Sequence, residues 1–365
     1  LPTLPCLLHL ADAMVSPPGG LSASIHRPSP PAQSVESVSL RMVHPSNSIP
    51  QACASDVAGA APSPWGWRPA TTSLALTPVS LLQLQGPDSL RFLHGQTSQA
   101  IELASPGQWL STCSITPTAR MRALAEVLVT QDGAWLVIRA GDGEAVRQAL
   151  DRVLFPADAV HLGALRPGLL LEPLAAADGP HGDHGNVAAV TSASWRPLQG
   201  GEGFWLGDRL LLVGVSRVPA DPSGLEAAAR GLLALPQLSA AEQERWRIQC
   251  GLPACPSELN EDSNPWELGL AERVSLSKGC YVGQETLARL VTYDGVKCQL
   301  RRWYTAAAAA PPPQALLELA GERAGQITSS LQLPGQAGWI GLALVRRSAL
   351  EAPSLDVASE NLPRI

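Results

Sequence analysis

The run Lys278-Gly279-Cys280-Tyr281-Val282-Gly283-Gln284-Glu285 constrains this chain more than any other segment. Two glycines bracket a Cys-Tyr-Val core, and glycine is the residue that lets a backbone bend tightly or lie against a neighbour. Beyond Gln284, the apolar residues Leu287, Leu290 and Val291 fall at helical spacing, which predicts a helix starting just after the cysteine. If the segment before it is extended, Lys278 and Cys280 share a face. A thiol becomes a reactive thiolate only where its charge is stabilised, and a neighbouring ammonium or a following helix N-terminus does that. Cys280 is therefore a candidate functional thiol with Lys278 as its activator. The competing reading is an inert, buried cysteine.

The rest of the chain divides by pattern. Residues 1–64 are rich in Pro, Ser and Ala with no sustained period, and read as a disordered N-terminal extension. An over-extended start ahead of Met14 or Met42 is the favoured explanation, with a targeting leader or a flexible tail as alternatives. From Trp65 the patterns become regular. A strand is expected over Val79–Gln85, and a helix opens at Pro87-Asp88 with Leu90 and Leu93. Strands over Leu124–Thr130 and Ala134–Arg139 are joined by Gln131-Asp132-Gly133, a hairpin signal. A helix over Glu144–Leu154 follows. Strand, helix, strand, strand, helix suggests a ferredoxin-like split unit.

A second unit follows a break near residues 165–200. It has a hairpin through Gly207-Asp208 and a helix over Leu225–Leu233. Ser239 and Glu242 form a capping box that opens a helix ending at Gly251. The Ala-then-Pro run Ala306–Pro313 reads as a linker. Residues 306–365, with short apolar runs at Leu316–Leu319, Gln326–Ser329 and Trp339–Val345, predict a small all-β C-terminal domain.

Composition excludes several classes. The net charge of -6 offers no overall basic surface for nucleic acid. No apolar run is long enough for a membrane helix. Seven scattered cysteines make no disulfide framework, which suits a reducing compartment. Cys250 with Cys255 is a poor metal candidate because no His or second Cys pair accompanies it, and His181-Gly182-Asp183-His184 because it lies in a Gly-rich loop. Arg289, Lys297, Arg301 and Arg302 form a local basic group, either a solvated face or a receiver for an anionic tail.

Lys278–Glu285 resembles the K-G-C-Y-x-G-Q-E signature of the YgfZ family, folate-binding relatives of the glycine-cleavage T-protein that support iron-sulfur enzymes. Flanking segments agree. Arg247–Pro253 resembles the family's R-I-x-x-G-x-P helix end, Glu261–Leu270 its P-x-E-x-G-L segment, and Glu285–Leu300 its E-x-x-A-R continuation. Gly86–Gln96 is similar to its G-x-D-x-x-x-F-L-x-G-Q opening, and Thr116–Met121 to T-P-x-G-R. The likeness runs from about Thr77 to the C-terminal end.

The resemblance implies an α+β, T-protein-like folate-binding fold over residues 65–305, with ferredoxin-like split units, and a small β-barrel over 306–365. It implies tetrahydrofolate as cofactor, with Glu267, Gln249, Tyr281, Gln284, Glu285 and Arg289 as binding residues and Cys280 and Lys278 as the reactive pair. Glu267 is singled out because a carboxylate can accept two adjacent pterin N–H groups. Two departures stand out. Gln249 occupies the position of the T-protein's pterin-binding glutamate, and Ala119 stands where the family usually has glycine. Met121–Glu126 also lacks a convincing match to the T-protein's catalytic aspartate.

The function implied is support of iron-sulfur cluster assembly or repair in client enzymes, tRNA-modifying ones included, with client or assembly proteins and folate as partners. No direct nucleic-acid or membrane contact is expected. The compartment implied is the cytoplasm, or an organellar matrix if the extension is a transit segment. The alternatives are a tetrahydrofolate-dependent aminomethyltransferase-type enzyme and a folate-free scaffold. Whether a reaction is turned over is left open.

Overall fold

The computed structural model describes residues 38–43, 63–177, 193–335 and 337–358. The His181–His184 cluster lies outside them. The strands are β1 (Ser39–Val43), β2 (Ser73–Gln85), β3 (Gln108–Ile115), β4 (Met121–Thr130), β5 (Gly133–Gly141), β6 (His161–Leu162), β7 (Arg166–Leu174), β8 (Ala193–Pro197), β9 (Gly203–Leu206), β10 (Arg209–Val213), β11 (Cys298–Thr305), β12 (Leu316–Leu319), β13 (Glu322–Gln332), β14 (Trp339–Arg346) and β15 (Ser354–Val357). The helices are α1 (Ser89–Gln96), α2 (Gly143–Asp151), α3 (Ala227–Leu233), α4 (Ala240–Cys250) and α5 (Gln284–Thr292).

β2 organises the larger sheet. Its first part pairs with β7 and its second part with β5. The order β5-β4-β3-β8-β9-β10-β7-β2 therefore returns to β5, and β6 adds to the end of β2. Alternation along the strands sorts the two faces. Leu82 and Leu84 of β2, with Ala123, Ala125 and Val127 of β4, pack against Phe92 and Leu93 of α1 and Val146 and Leu150 of α2. Val79 and Leu81 take the other face, with Trp109, Leu128 and Trp135. Glu126, Arg139, Glu172 and Arg209 occupy that second face's positions. Arg139 donates to Glu126 at 3.1 Å and to Glu172 at 2.9 Å, and Arg209 reaches Glu172 at 3.1 Å. Each buried charge thus meets an opposite one, which its burial requires.

The pairing draws no line between two ferredoxin-like units. β3 stands between α1 and the β4–β5 hairpin, and β8 joins β3 to β9, linking the stretches before and after the expected break.

The second sheet is a closed barrel in the order β1-β11-β14-β13-β12-β15. It corrects the expected boundaries twice. β1 comes from the stretch read as disordered, and β11 precedes residue 306. Trp303 of β11 is fully buried and fills the barrel with Leu40, Leu317, Ile327, Val345 and Leu355. Its cross-strand partner is Gly341. A Cβ there would sit 2.4 Å from the Trp303 ring and 2.0 Å from the Ser329 carbonyl oxygen, so only glycine fits.

α4 ties to this barrel by charge. The capping box read from Ser239 and Glu242 is formed, and Gly251 ends the helix at φ 67°. Arg247 donates to Glu258 at 3.3 Å and to Ser329 of β13 at 2.7 Å, and Ser329 donates to Glu258 at 2.6 Å. Glu258 is fully buried, so removing Arg247 would leave a carboxylate without its cation.

Truncating Trp303 to alanine should cost about 3–5 kcal/mol in urea unfolding. Gly341→Ala, which adds one methyl, should cost at least about 2 kcal/mol. A neutral Gly341→Ala would contradict the tight Trp303 packing.

Candidate functional site

The Cys280 loop is zipped onto the segment that ends α1. Ser275 N–H donates to Ser98 O at 2.9 Å, and Val282 N–H donates to Gly95 O at 3.0 Å. Between them, Lys278 Nζ donates to the carbonyls of His94, Thr97 (2.6 Å) and Gln99 (2.7 Å). These acceptors lie around the C-terminus of α1, where a cation is favoured by the helix dipole. The ammonium also sits 4.3 Å from the centre of the Tyr281 ring.

Lys278 is only 8% exposed. Burial pushes its ammonium down to about 7. Three carbonyl acceptors use three N–H donors, which only the protonated amine possesses, so this geometry holds the charged form.

The expected extended geometry is not met: Lys278 and Gly279 lie in a bend. All three Nζ protons go to backbone carbonyls, while Cys280 is exposed at the surface. Lys278 is thus a clamp for the loop. α5 does begin just after the cysteine, at Gln284 within the motif. Gly283 has φ +79°, and a Cβ on it would lie 2.8 Å from Thr116 O and 2.9 Å from Ile115 Cδ1. The loop therefore seats directly on the Thr116–Arg120 turn. Ala119 of that turn has φ 60°, a left-handed conformation that glycine adopts without strain and alanine does not.

The remaining candidates take separate places. Tyr281 is buried among Cys113, Ile115, Ala119 and Leu287, and burial pushes its hydroxyl up to about 12. That hydroxyl has no hydrogen-bond partner among the described residues. Gln284 Nε2 donates to Lys278 O at 3.3 Å and closes the loop. Glu285 and Arg289 pair with each other on the exposed face of α5. The basic group does not assemble: Arg289 and Lys297 are exposed, Arg301 is buried, and Arg302 donates to Gln249 O at 2.7 Å.

Glu267 is 7% exposed and already engaged. Its Oε2 accepts from Asn264 N–H at 3.0 Å, while Asn264 Oδ1 accepts from Glu267 N–H at 3.1 Å, a reciprocal pair like a capping box. Arg120 lies 3.8 Å from the same oxygen, and the thiol of Cys298 is pushed up to about 12 by burial and by this carboxylate. The Asn-x-x-Glu spacing was the sequence signal for this structural job.

Gln249 is 3% exposed. Its Oε1 accepts from Trp67 N–H and its Nε2 donates to Trp67 O, both at 3.1 Å. Sequence reasoning missed Trp67. Around this pair, Arg245 stacks on Trp67 at 5.3 Å, Arg68 on Trp246 at 4.7 Å and Arg302 on Trp65 at 5.2 Å.

Comparison with known proteins places this geometry. No protein-family model matches the chain. An Arabidopsis thaliana protein named "Putative transferase At1g60990, chloroplastic" is 28% identical over 302 residues, which cover 78% of this chain and 67% of that protein. The solved glycine cleavage system aminomethyltransferase T from Bartonella henselae superposes with a TM-score of 0.58 at 18% identity, over 80% of this chain and 86% of that one. The chain has the fold of that T-protein.

The site makes two predictions. Lys278→Ala should lower stability by about 3 kcal/mol, because buried carbonyls lose their shared donor, with little change in the alkylation rate of Cys280. A large change in rate without loss of stability would restore Lys278 as activator. The second concerns pH. Burial pushes Cys113 up to about 11 and Cys250 and Cys298 up to about 12, from 9.0. Unfolded thiols ionise first, so this stability is complete below about pH 9 and is lost as pH rises toward the folded values. The urea midpoint should fall from pH 9 to pH 11, and Cys113→Ala should flatten that fall.

Proposed function

We propose that this chain is a folate-binding protein of the T-protein fold that supports iron-sulfur enzymes through Cys280. The observation that carries the reading is the presentation of that thiol. Cys280 is exposed, while the loop bearing it is pinned on either side by Lys278 and by Val282. A fixed, accessible thiol suits contact with a cluster or a partner protein, because little order is lost on contact. One thiolate does not hold a cluster alone, so other ligands would come from the client or assembly protein. Folate, when bound, would supply a carrier for one-carbon units.

The residues fit a folate unevenly. Gln249 offers one acceptor and one donor to a pterin edge, and Arg245 and Arg302 offer cations for its carboxylate tail. The buried Tyr281 hydroxyl offers a further polar contact. Glu267 caps Asn264 through Oε2, which leaves its second carboxylate oxygen for a pterin N–H.

The transferase reading draws on the Arabidopsis relative's name and on the aminomethyltransferase fold. It requires a carboxylate base. Burial pushes the Glu126 carboxyl up, but Arg139, Arg209 and Arg273 outweigh this and hold it below the usual range. Such a carboxylate is a poor proton acceptor near neutral pH. We therefore rank the thiol reading first. The relative's chloroplastic name keeps an organellar matrix beside the cytoplasm as the compartment.

Anaerobic calorimetric titration of the reduced protein with tetrahydrofolate should give saturable one-site binding. Cys280→Ala should retain that binding and the fold but lose support of iron-sulfur enzyme activity in cells lacking the native copy. Full support by Cys280→Ala would exclude the thiol from the function.

A further inference from the structure

Gln249 makes a paired contact with the chain's own Trp67. Both polar atoms of a buried carboxamide pair with the N–H and C=O of a single residue. A carboxylate could not do this, because it only accepts and would repel the Trp67 carbonyl. The glutamine therefore matches a peptide edge. A lactam in a planar heteroaromatic ring presents the same adjacent donor and acceptor.

The surroundings continue the match. The Trp67 indole lies against the Arg245 guanidinium, as a flat ring ligand would. Arg245 is only 9% exposed, and its Nε is buried with no hydrogen-bond partner among the described residues. Among the described residues no carboxylate pairs with Arg245 or Arg302, so their charges have no acidic counterpart here. The segment that fills the place is held mainly by side chains, Trp67 against Leu238 and Trp246 and Trp65 against Ile248 and Leu333, and less by its backbone. Gly66 is exposed, a Cβ there would meet only Ser63 O at 3.9 Å, and Trp67's two backbone hydrogen bonds are those to Gln249.

From this we infer that Trp65–Arg68 is an internal plug, occupying the place of a planar ligand with a lactam edge and an anionic tail, and that ligand and plug exclude each other. The inference rests on the folate reading above, in which that ligand is a tetrahydrofolate. Both occupants need the same two atoms of Gln249 and the same face of Arg245. The ligand's apparent affinity is then reduced by the fraction of molecules in which the segment is displaced.

The test pairs calorimetry with hydrogen exchange on the full chain, using tetrahydrofolate as probe. Trp67→Ala should bind it at least about tenfold more tightly than the wild type. In the wild type, the probe should speed exchange of the amides in the 65–68 segment. The exchange measurement stands even if the variant folds poorly. Binding to the wild type with that segment still protected, or equal or weaker binding by Trp67→Ala, would overturn the plug and leave the folate reading standing. No binding to either protein would remove the folate reading and the plug together.

Discussion

A single ammonium carries the geometry of the Cys280 loop. Lys278 reaches into the protein and gathers the carbonyls that α1 leaves open at its C-terminus. Helix ends carry carbonyls with no partner inside the helix, and buried ones need donors from elsewhere. Here one side chain supplies them and fastens a segment more than 180 residues away in sequence. The position of Cys280, the seat of Gly283 on the Thr116–Arg120 turn and the start of α5 all follow from that attachment. Reactivity and architecture are therefore separated: the lysine organises, and the thiol is left facing solvent.

The same economy recurs between the two sheets. Arg247, Glu258 and Ser329 form a closed polar triangle that fixes α4 against the barrel. Buried ionic groups add little net stability when replaced by apolar ones, but they are strongly directional. Their contribution here is registration, since α4 carries Gln249 and β11 carries Arg302, and these meet only if helix and barrel are correctly placed.

Local signals were read well and distant ones poorly. The β4–β5 hairpin and the ends of α4 were legible, because a turn, a capping box and a terminal glycine act within a few residues. β1 was not, since its five residues gain a hydrophobic face only from partners more than 250 positions on. β11, with arginines and a tryptophan in alternation, shows its inward side only once Trp303 is known to face Gly341. At the site, the motif picked out one continuous loop, but the contacts within it were only partly legible. A period-two argument paired Lys278 with Cys280, and a bend that no local pattern announces turned the lysine inward. The reciprocal contact of Glu267 with Asn264 was legible from their three-residue spacing. The partner of Gln249 could not be read at all, because Trp67 lies in a segment without period.

The barrel has a consequence for how the molecule is made. β1 pairs with β15, Ser39 opposite Asp356, as well as with β11. A strand from near the beginning of the described chain thus waits for the last one before the ring can close. During synthesis the hairpins of the larger sheet, β4–β5 and β9–β10, can pair as they emerge. The barrel cannot: its first strand stays an open edge until Ser354–Val357 has left the ribosome. Long-range pairing of this kind is slow, and the interval exposes an unpaired strand to other chains. Barrel closure is the step at which a chaperone would matter most for this protein.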